Sequence, residues 1–402
     1  DEQREVIMAA FKHPWLALFA GALAVPLGAF VAAPAAQAAK PIVIGGTISE
    51  TGPLAVDADD QIRGVKLAIA DANAAGGGLG RKLDLKLYDD KSSAGVADRL
   101  YERLITDDKV DLLIGPYSSG VTTGIAPLIN KYKMVTIEPG ASDPSIYHAG
   151  NTWNIQATAS SLQYLDQLMP AAKENGAKTV ALLGLESAFT LACYHAREAQ
   201  AKELGLKVVY QTTYSLPQPD FSSIALAVKN AHPDVVVACT YYPDAVGITR
   251  SLHQQGFAPK FLGETVGPVE APYLKALGPL ANRVITNTGW WSNFKTPDNQ
   301  GFISRYKAMF HQDPDYHAAT GYAAVQALGD AVKATHSLDQ AKIREWLLSH
   351  TPETIQGTFK VNKNGLSLGY VQDLLQIQDG VLKLVYPTAD AEAKLLFPYT
   401  GS

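Results

Sequence analysis

Two rhythms of apolar and polar positions run along the chain. Residues 42–45 form a short apolar run, and residues 83–88 alternate as Leu-Asp-Leu-Lys-Leu-Tyr. Both read as strands. Between them Ile62, Val65, Ala68, Ile69 and Ala72 recur at helical spacing, so a helix is expected over 61–74, stopped by Gly76, Gly77, Gly78 and Gly80. The alternation continues with helices over 94–106 and 120–130 and strands over 110–114 and 134–137. After a break near 150–160 the same grammar restarts. Helices are expected over 161–175, 191–204, 221–231 and 244–255, and strands over 179–183, 208–214, 234–238, 260–262 and 284–288. Strands separated by helices of this length indicate βαβ units and parallel sheets. The tail changes character, with helices over 322–334 and 338–349. A hairpin is expected there too, its strands at 358–361 and 368–378 joined through Asn362-Lys363-Asn364-Gly365.

Composition adds three constraints. At 402 residues, 47% apolar and 18% charged, the chain is long enough for two cores rather than one. Its net charge of −5 and the lack of any basic block argue against a nucleic-acid partner. The first 38 residues have their own pattern: Lys12 and His13, an apolar run over 15–31, then Ala36-Gln37-Ala38. This is the layout of a secretory signal peptide cleaved before Ala39. The acidic start Asp1-Glu2-Gln3-Arg4-Glu5 does not suit such a leader, so Met8 is the expected initiator. The apolar run is short for a membrane span and is broken by Gly21, Pro26 and Gly28. No cysteine lies beside the cleavage site to carry a lipid, so a free periplasmic protein is expected. Export permits a disulfide between the only two cysteines, Cys193 and Cys239; two buried free thiols are the alternative.

In open α/β sheets ligands bind beyond the carboxyl ends of the strands. Four loops there carry candidate chemistry. Gly115-Pro116-Tyr117-Ser118-Ser119-Gly120 opens a helix, where free N–H groups and the Ser119 hydroxyl suit a carboxylate; Ser119 as a plain helix cap is the alternative. Glu138-Pro139-Gly140-Ala141-Ser142-Asp143-Pro144 offers backbone groups and Ser142, or is an ordinary turn. Residues 184–190 offer Phe189, and Cys239-Thr240-Tyr241-Tyr242-Pro243 offers two tyrosines, as cleft walls or as core. Catalytic signatures are missing: no G-x-S-x-G, no H-E-x-x-H, no C-x-x-C and no P-loop. The nine histidines are scattered, and Asp89-Asp90 reads as a solvated pair. Neither an enzyme, a metal site nor a cofactor is expected.

Taken in order, several segments resemble the leucine/isoleucine/valine-binding proteins, the type I periplasmic solute-binding proteins of ABC importers. They are Gly52-Pro53-Leu54, Gly77-Gly78-Leu79-Gly80-Arg81-Lys82-Leu83, Tyr88-Asp89-Asp90 and Ile114-Gly115 with Ser118-Ser119. The loop at 138–144, Tyr241-Tyr242-Pro243 and Gly321-Tyr322-Ala323-Ala324-Val325 complete the set. The resemblance implies two doubly wound Rossmann-like α/β lobes joined by three crossovers and closing on a ligand by hinge motion. On that basis residues 1–38 are a signal peptide, 39–158 plus 289–367 the first lobe, and 159–288 plus 368–402 the second. It assigns Ser119, Ala141 and Ser142 to the carboxylate and ammonium groups of an amino acid, with Tyr241 retained in the second lobe.

The resemblance also exposes departures. Phe189 stands where amino-acid binders place a tyrosine. Thr265 stands where the ammonium-binding acid is expected, with Glu264 just before it, and Asp57 occupies a loop where a ligand-facing aromatic is common. Ser93 and Ser118 replace the usual first-lobe disulfide. Two ligand classes follow. One is an amino acid whose ammonium is held by Glu264 or Asp57. The other is an aromatic or other carboxylate stacked on Phe189, Tyr241 and Trp290 or Trp291, favoured if neither acid faces the cleft. Amides and urea-like solutes come third. The implied partner is an inner-membrane ABC permease and the implied state a monomer; a sensor-type ligand-binding module is the competing class.

Overall fold

The structure, a computed structural model, describes residues 40–218 and 220–401; the expected leader lies outside them. The first sheet holds five parallel strands: β1 (Ile42–Ile48), β2 (Leu83–Asp89), β3 (Leu112–Ile114), β4 (Thr136–Glu138) and β5 (Asn154–Gln156), in the order β2-β1-β3-β4-β5. Helices α1 (Ala55–Ala74), α2 (Ala94–Thr106) and α3 (Ser119–Tyr132) connect them. The chain then enters a second unit through α4 (Leu168–Glu174), β6 (Thr179–Leu185), α5 (Ala188–Glu203), β7 (Lys207–Tyr214), α6 (Ser222–Ala231), β8 (Val235–Cys239), α7 (Tyr242–Gln254), β9 (Phe261–Glu264), α8 (Ala271–Leu277) and β10 (Ile285–Thr288). Its parallel strands run β10-β9-β8-β6-β7, the same winding as the first sheet. Strand β8, Val-Val-Val-Ala-Cys, is buried along its whole length, as a strand covered by helices on both faces must be.

The chain returns to the first unit with α9 (Asn299–Phe310), α10 (Tyr316–Thr335) and α11 (Gln340–Ser349), followed by the short pair β11 (Glu353–Thr354) and β12 (Gly357–Thr358). It ends as an antiparallel hairpin, β13 (Asp373–Gln378) and β14 (Val381–Tyr386), added to β10. The result is the expected two-lobed α/β architecture. Among the described residues no helix is long and apolar enough to cross a membrane.

Several elements differ from expectation. Helix α1 begins at Ala55, six residues early, which puts Asp57 in a first helical turn rather than a loop. The helix expected over 161–175 is a 3-10 turn, Ser161–Gln163, followed by the short α4, because Leu165 adopts a left-handed backbone where the chain crosses between sheets. Helix α10 starts at Tyr316, capped by the Asp315 carboxylate, which accepts the Ala318 N–H. β5 and α9 were not expected at all. The Asn362–Gly365 turn supports only one bridge, Val361 to Ser367, because it lies against β5, where Gly365 accepts the Gln156 N–H. The true hairpin turns at Asp379-Gly380, both at positive φ, as a two-residue hairpin turn requires.

Helices α1 and α10 pack closely enough that two positions must be glycine. A Cβ on Gly64 would lie 1.9 Å from the Ala318 carbonyl oxygen, and one on Gly321 would lie 2.2 Å from that of Gln61. In an unpacked helix Gly→Ala would add roughly 1 kcal/mol of stability. Here Gly64→Ala is expected to destabilise by about 2–3 kcal/mol, since a backbone atom cannot move aside as a side chain can. Urea unfolding followed by circular dichroism measures it; a midpoint equal to or above wild type would contradict the close crossing.

Candidate functional site

The carboxyl ends of both sheets and the start of α10 meet around a small cavity that its own lining side chains nearly fill. Its wall is Tyr117, Pro139, Gly140, Ser142, Thr158 and Tyr164 from the first sheet's loops and the crossover, Phe189, Tyr241 and Val266 from the second lobe, and Tyr316 and His317 from α10. The rings form a chain: Tyr164 to Phe189 at 4.9 Å between centroids, Phe189 to Tyr241 at 5.4 Å, Tyr241 to Tyr117 at 6.2 Å, and Tyr117 to His317 at 5.4 Å. Most meet edge-on or tilted, the arrangement aromatic quadrupoles prefer. The Ser142, Thr158 and tyrosine hydroxyls and the His317 imidazole supply polar points among the rings.

Three of the expected site residues, Ser142, Phe189 and Tyr241, border the cavity. The others serve elsewhere. Ser119 Oγ accepts the backbone N–H groups of Ser142 and Asp143, each at 3.0 Å, so it braces the ligand-side loop instead of lining it. Ala141 is buried, and its carbonyl accepts from Tyr147 Oη and Gln156 Nε2. Glu264 is turned away from the cleft: β9 is buried on both faces, and the carboxyl accepts from Thr249 Oγ1 at 3.0 Å and Tyr273 Oη at 2.7 Å. Thr265 is spent on strand stitching, accepting the Thr240 N–H and donating to the Thr240 carbonyl. Neither lines the cavity. Trp290 and Trp291 do not reach it either; their indole N–H groups donate to Asn299 and Glu392. Asp90 is not solvated but buried, accepting from Thr47, Ser49 and Ser92.

Asp57 sits at the seam between the lobes. Its Oδ1 accepts the N–H of Tyr242, the first residue of α7, at 3.0 Å, while Oδ2 is buried without a hydrogen-bond partner. It does not border the cavity. Cys193 and Cys239 form a disulfide with a Cα–Cα distance of 6.1 Å, so the free-thiol alternative is replaced. This bridge fastens α5 to the end of β8, behind Phe189 and Tyr241.

Sequence reasoning passed over Tyr164, Thr158, Val266, Tyr316 and His317. Asp315 before a small-residue run was the usable signal, since a capping aspartate there moves the helix start to Tyr316. Nothing local marks Tyr164 or Thr158, which reach the wall through the crossover. His317 is the charged group of the lining. Its Nε2 lies 3.2 Å from Tyr117 Oη, and its Nδ1 lies 3.0 Å from Asp315 and 3.2 Å from Glu270. Burial disfavours the imidazolium, but the two carboxylates outweigh it and raise the histidine well above its ordinary range.

Comparison with known proteins agrees with this fold. The family profile described as periplasmic binding protein matches residues 41–365. The chain is similar to Leu/Ile/Val-binding protein homolog 7 of Brucella suis biovar 1, with 25% identity over 90% of this chain and 96% of that one. It superposes on the leucine-binding protein LivK of Thermotoga maritima with a TM-score of 0.79 at 21% identity, covering 85% of this chain and 97% of that one. An R. palustris ABC-transporter solute-binding protein in complex with benzoate superposes with a TM-score of 0.76 at 21% identity, covering 85% and 94%.

The buried acids give a pH signature. Burial pushes Asp57 up to about 7, Asp244 to about 7 and Glu264 to about 8. The folded state therefore holds protons that the unfolded chain releases, and this contribution is lost as pH rises from about 4 through 8. Asp108, held low by its hydrogen bond from Lys86, contributes in the opposite sense and is already fully ionised near pH 5. Thermal midpoints are expected to be highest near about pH 5 and to fall toward about pH 8.5, with Glu264→Gln flattening the slope. A flat or rising profile for wild type would contradict the placement of these acids.

Proposed function

Because the chain belongs to the periplasmic binding proteins of the leucine/isoleucine/valine-binding type, we propose that it is the exported solute receptor of an ABC importer and that its ligand is an aromatic carboxylate. On this reading residues 1–38 are removed on export and the protein works in the periplasm. The lobes, 39–158 with 289–367 and 159–288 with 368–402, close on the ligand and present it to an inner-membrane permease.

One observation carries the ligand assignment: the cavity wall is built from aromatic rings and hydroxyls around His317 and includes no carboxylate. An amino acid's ammonium, stripped of water, requires an anion in contact with it. Glu264 is engaged with Thr249 and Tyr273, so it offers none. An aromatic acid needs only hydrogen-bond donors for its carboxylate and ring faces for the rest. Ser142, Thr158 and the tyrosine hydroxyls supply the first; Phe189 and Tyr241 supply the second, with Val266 as an apolar neighbour. The second reading, a zwitterionic amino acid, rests on the unpartnered Oδ2 of Asp57 at the seam.

Titration calorimetry of residues 40–402 tests both. Benzoate and 4-hydroxybenzoate are expected to bind with leucine and isoleucine inert, and Ser142→Ala to weaken the aromatic acid by roughly 1.5–3 kcal/mol, about ten- to hundredfold. Tight binding of leucine that Asp57→Asn abolishes would replace the first reading with the second. Unchanged affinity in Ser142→Ala would remove that residue from the carboxylate site.

A further inference from the structure

The groups around His317 converge in a way that a single proton cannot satisfy. Nδ1 carries one hydrogen at most, yet two carboxylates aim at it: Asp315 Oδ2 at 3.0 Å and Glu270 Oε1 at 3.2 Å. The hydrogen bond goes to Asp315, and Glu270 Oε1 has no hydrogen-bond partner although Glu270 is only 3% exposed. Asp57, also buried with a free oxygen, interacts electrostatically with both Glu270 and His317. Two buried acids, Asp57 and Glu270, and the partly buried Asp315 thus gather around one imidazole, with one oxygen of Glu270 and one of Asp57 left without a hydrogen-bond partner.

We propose that Glu270, Asp315 and His317 form a binding site for a divalent cation of borderline softness, Zn²⁺ being the reference ion, which spans the seam between the lobes. The donor set of one imidazole nitrogen and two carboxylate oxygens is that of zinc-type sites with an open position. The spacing fits without rearrangement of the histidine. With metal bonds of about 2.0–2.2 Å, neighbouring ligand atoms stand about 3.0 Å apart at a right angle and about 3.4 Å at a tetrahedral one. The observed separations from Nδ1 are 3.0 and 3.2 Å, and all three ligand atoms lie within 4.8 Å of one another. The outer contact is also in place: Nε2 faces Tyr117 Oη at 3.2 Å, which would fix the ring and the tautomer that leaves Nδ1 bare. An approach exists, because Glu270 also lines an open cleft with Ser49, Glu50, Asp59 and Lys275.

The ligands come from different lobes. Asp315 and His317 stand at the start of α10, which packs on α1 of the first lobe, whereas Glu270 leads into α8 of the second. A bound ion would therefore favour closure, and through Tyr117 and His317 it would sit directly behind the ligand cavity.

Titration of chelator-stripped residues 40–402 with ZnCl₂ alone, with no organic ligand present, tests the site. One saturable equivalent is expected, with a raised thermal midpoint and a smaller radius of gyration by X-ray scattering. Glu270→Gln is expected to lose at least tenfold in zinc affinity and to lose the compaction, His317→Ala to behave alike, and Asp59→Asn, in the same cleft, to match wild type. Failure of wild type to take up one zinc, or equal affinity in Glu270→Gln, would overturn the site and leave His317 as an imidazolium shared between two carboxylates. Zinc uptake without compaction would overturn the bridging geometry. Because the metal is the only probe, these outcomes are independent of which organic solute binds.

Discussion

The site depends on a carboxylate buried where the two lobes touch. Asp57 enters from the first turn of α1 and meets the N–H of Tyr242 at the first turn of α7. A helix start presents unsatisfied N–H groups and the positive end of its dipole, so a carboxylate is the right group to dock against it. The bond joins residues 185 apart in sequence and brings the two lobes into register. Tyr241, one residue before the contact, is thereby set against Tyr117 of the opposite lobe, and the aromatic chain closes around the cavity. Burial raises the cost of that carboxylate's charge, while the Tyr242 N–H and the nearby His317 lower it. The contact between the lobes thus combines a few polar groups with the ring contact of Tyr117 and Tyr241.

Much of this was legible in the residue pattern, and the failures have physical reasons. The duplicated α/β grammar was plain because buried parallel strands such as β8 are uniformly apolar and their helices are amphipathic. The order of the strand-end loops identified the family. What the pattern could not convey was side-chain direction. Ser119 lies in the right loop, but its hydroxyl is captured by the N–H groups of Ser142 and Asp143. Glu264 has the right charge beside the right place, but it points into the lobe against Thr249 and Tyr273. A one-residue step along a strand reverses the face, so the difference between Glu264 and Thr265 is invisible without the register, and Val266 reaches the wall because the strand ends at Glu264. The residues missed altogether lie on the crossover and at the start of α10, where the chain passes between sheets and neither periodicity applies.

On the proposed reading, aromatic surface in place of charge on the cavity wall is what would separate ligand class from fold. The first lobe keeps a loop of small and hydroxyl residues, and Ser119 keeps that loop rigid. The second lobe contributes Phe189, Tyr241 and Val266, which can grip a ring but cannot neutralise an ammonium. The acids that remain nearby, Asp57, Glu270 and Asp315, are gathered on the far side of Tyr117 and His317. The carboxylates nearest the cavity thus lie beside its wall and not on it.

The disulfide belongs to the same design. Cys193 lies four residues beyond Phe189 on α5, one helical turn along the same face. Cys239 lies two residues before Tyr241, at the end of β8. The bridge therefore joins the supports of the two rings that lie 5.4 Å apart on the wall. Cys193 Sγ also sits 3.7 Å from the Tyr164 carbonyl, and the Tyr164 ring packs edge-on against Phe189. Two aromatic walls thus share one covalent anchor, and the third packs against them. A pocket that recognises a flat ring mainly by shape must hold its walls at fixed spacing, because dispersion contacts weaken sharply when a gap of even half an ångström opens. A carboxylate–ammonium clamp tolerates more play, since charge attraction falls off slowly with distance. Placing the cross-link in the second lobe, behind the rings, suits the proposed aromatic ligand, for which packing rather than charge would decide binding.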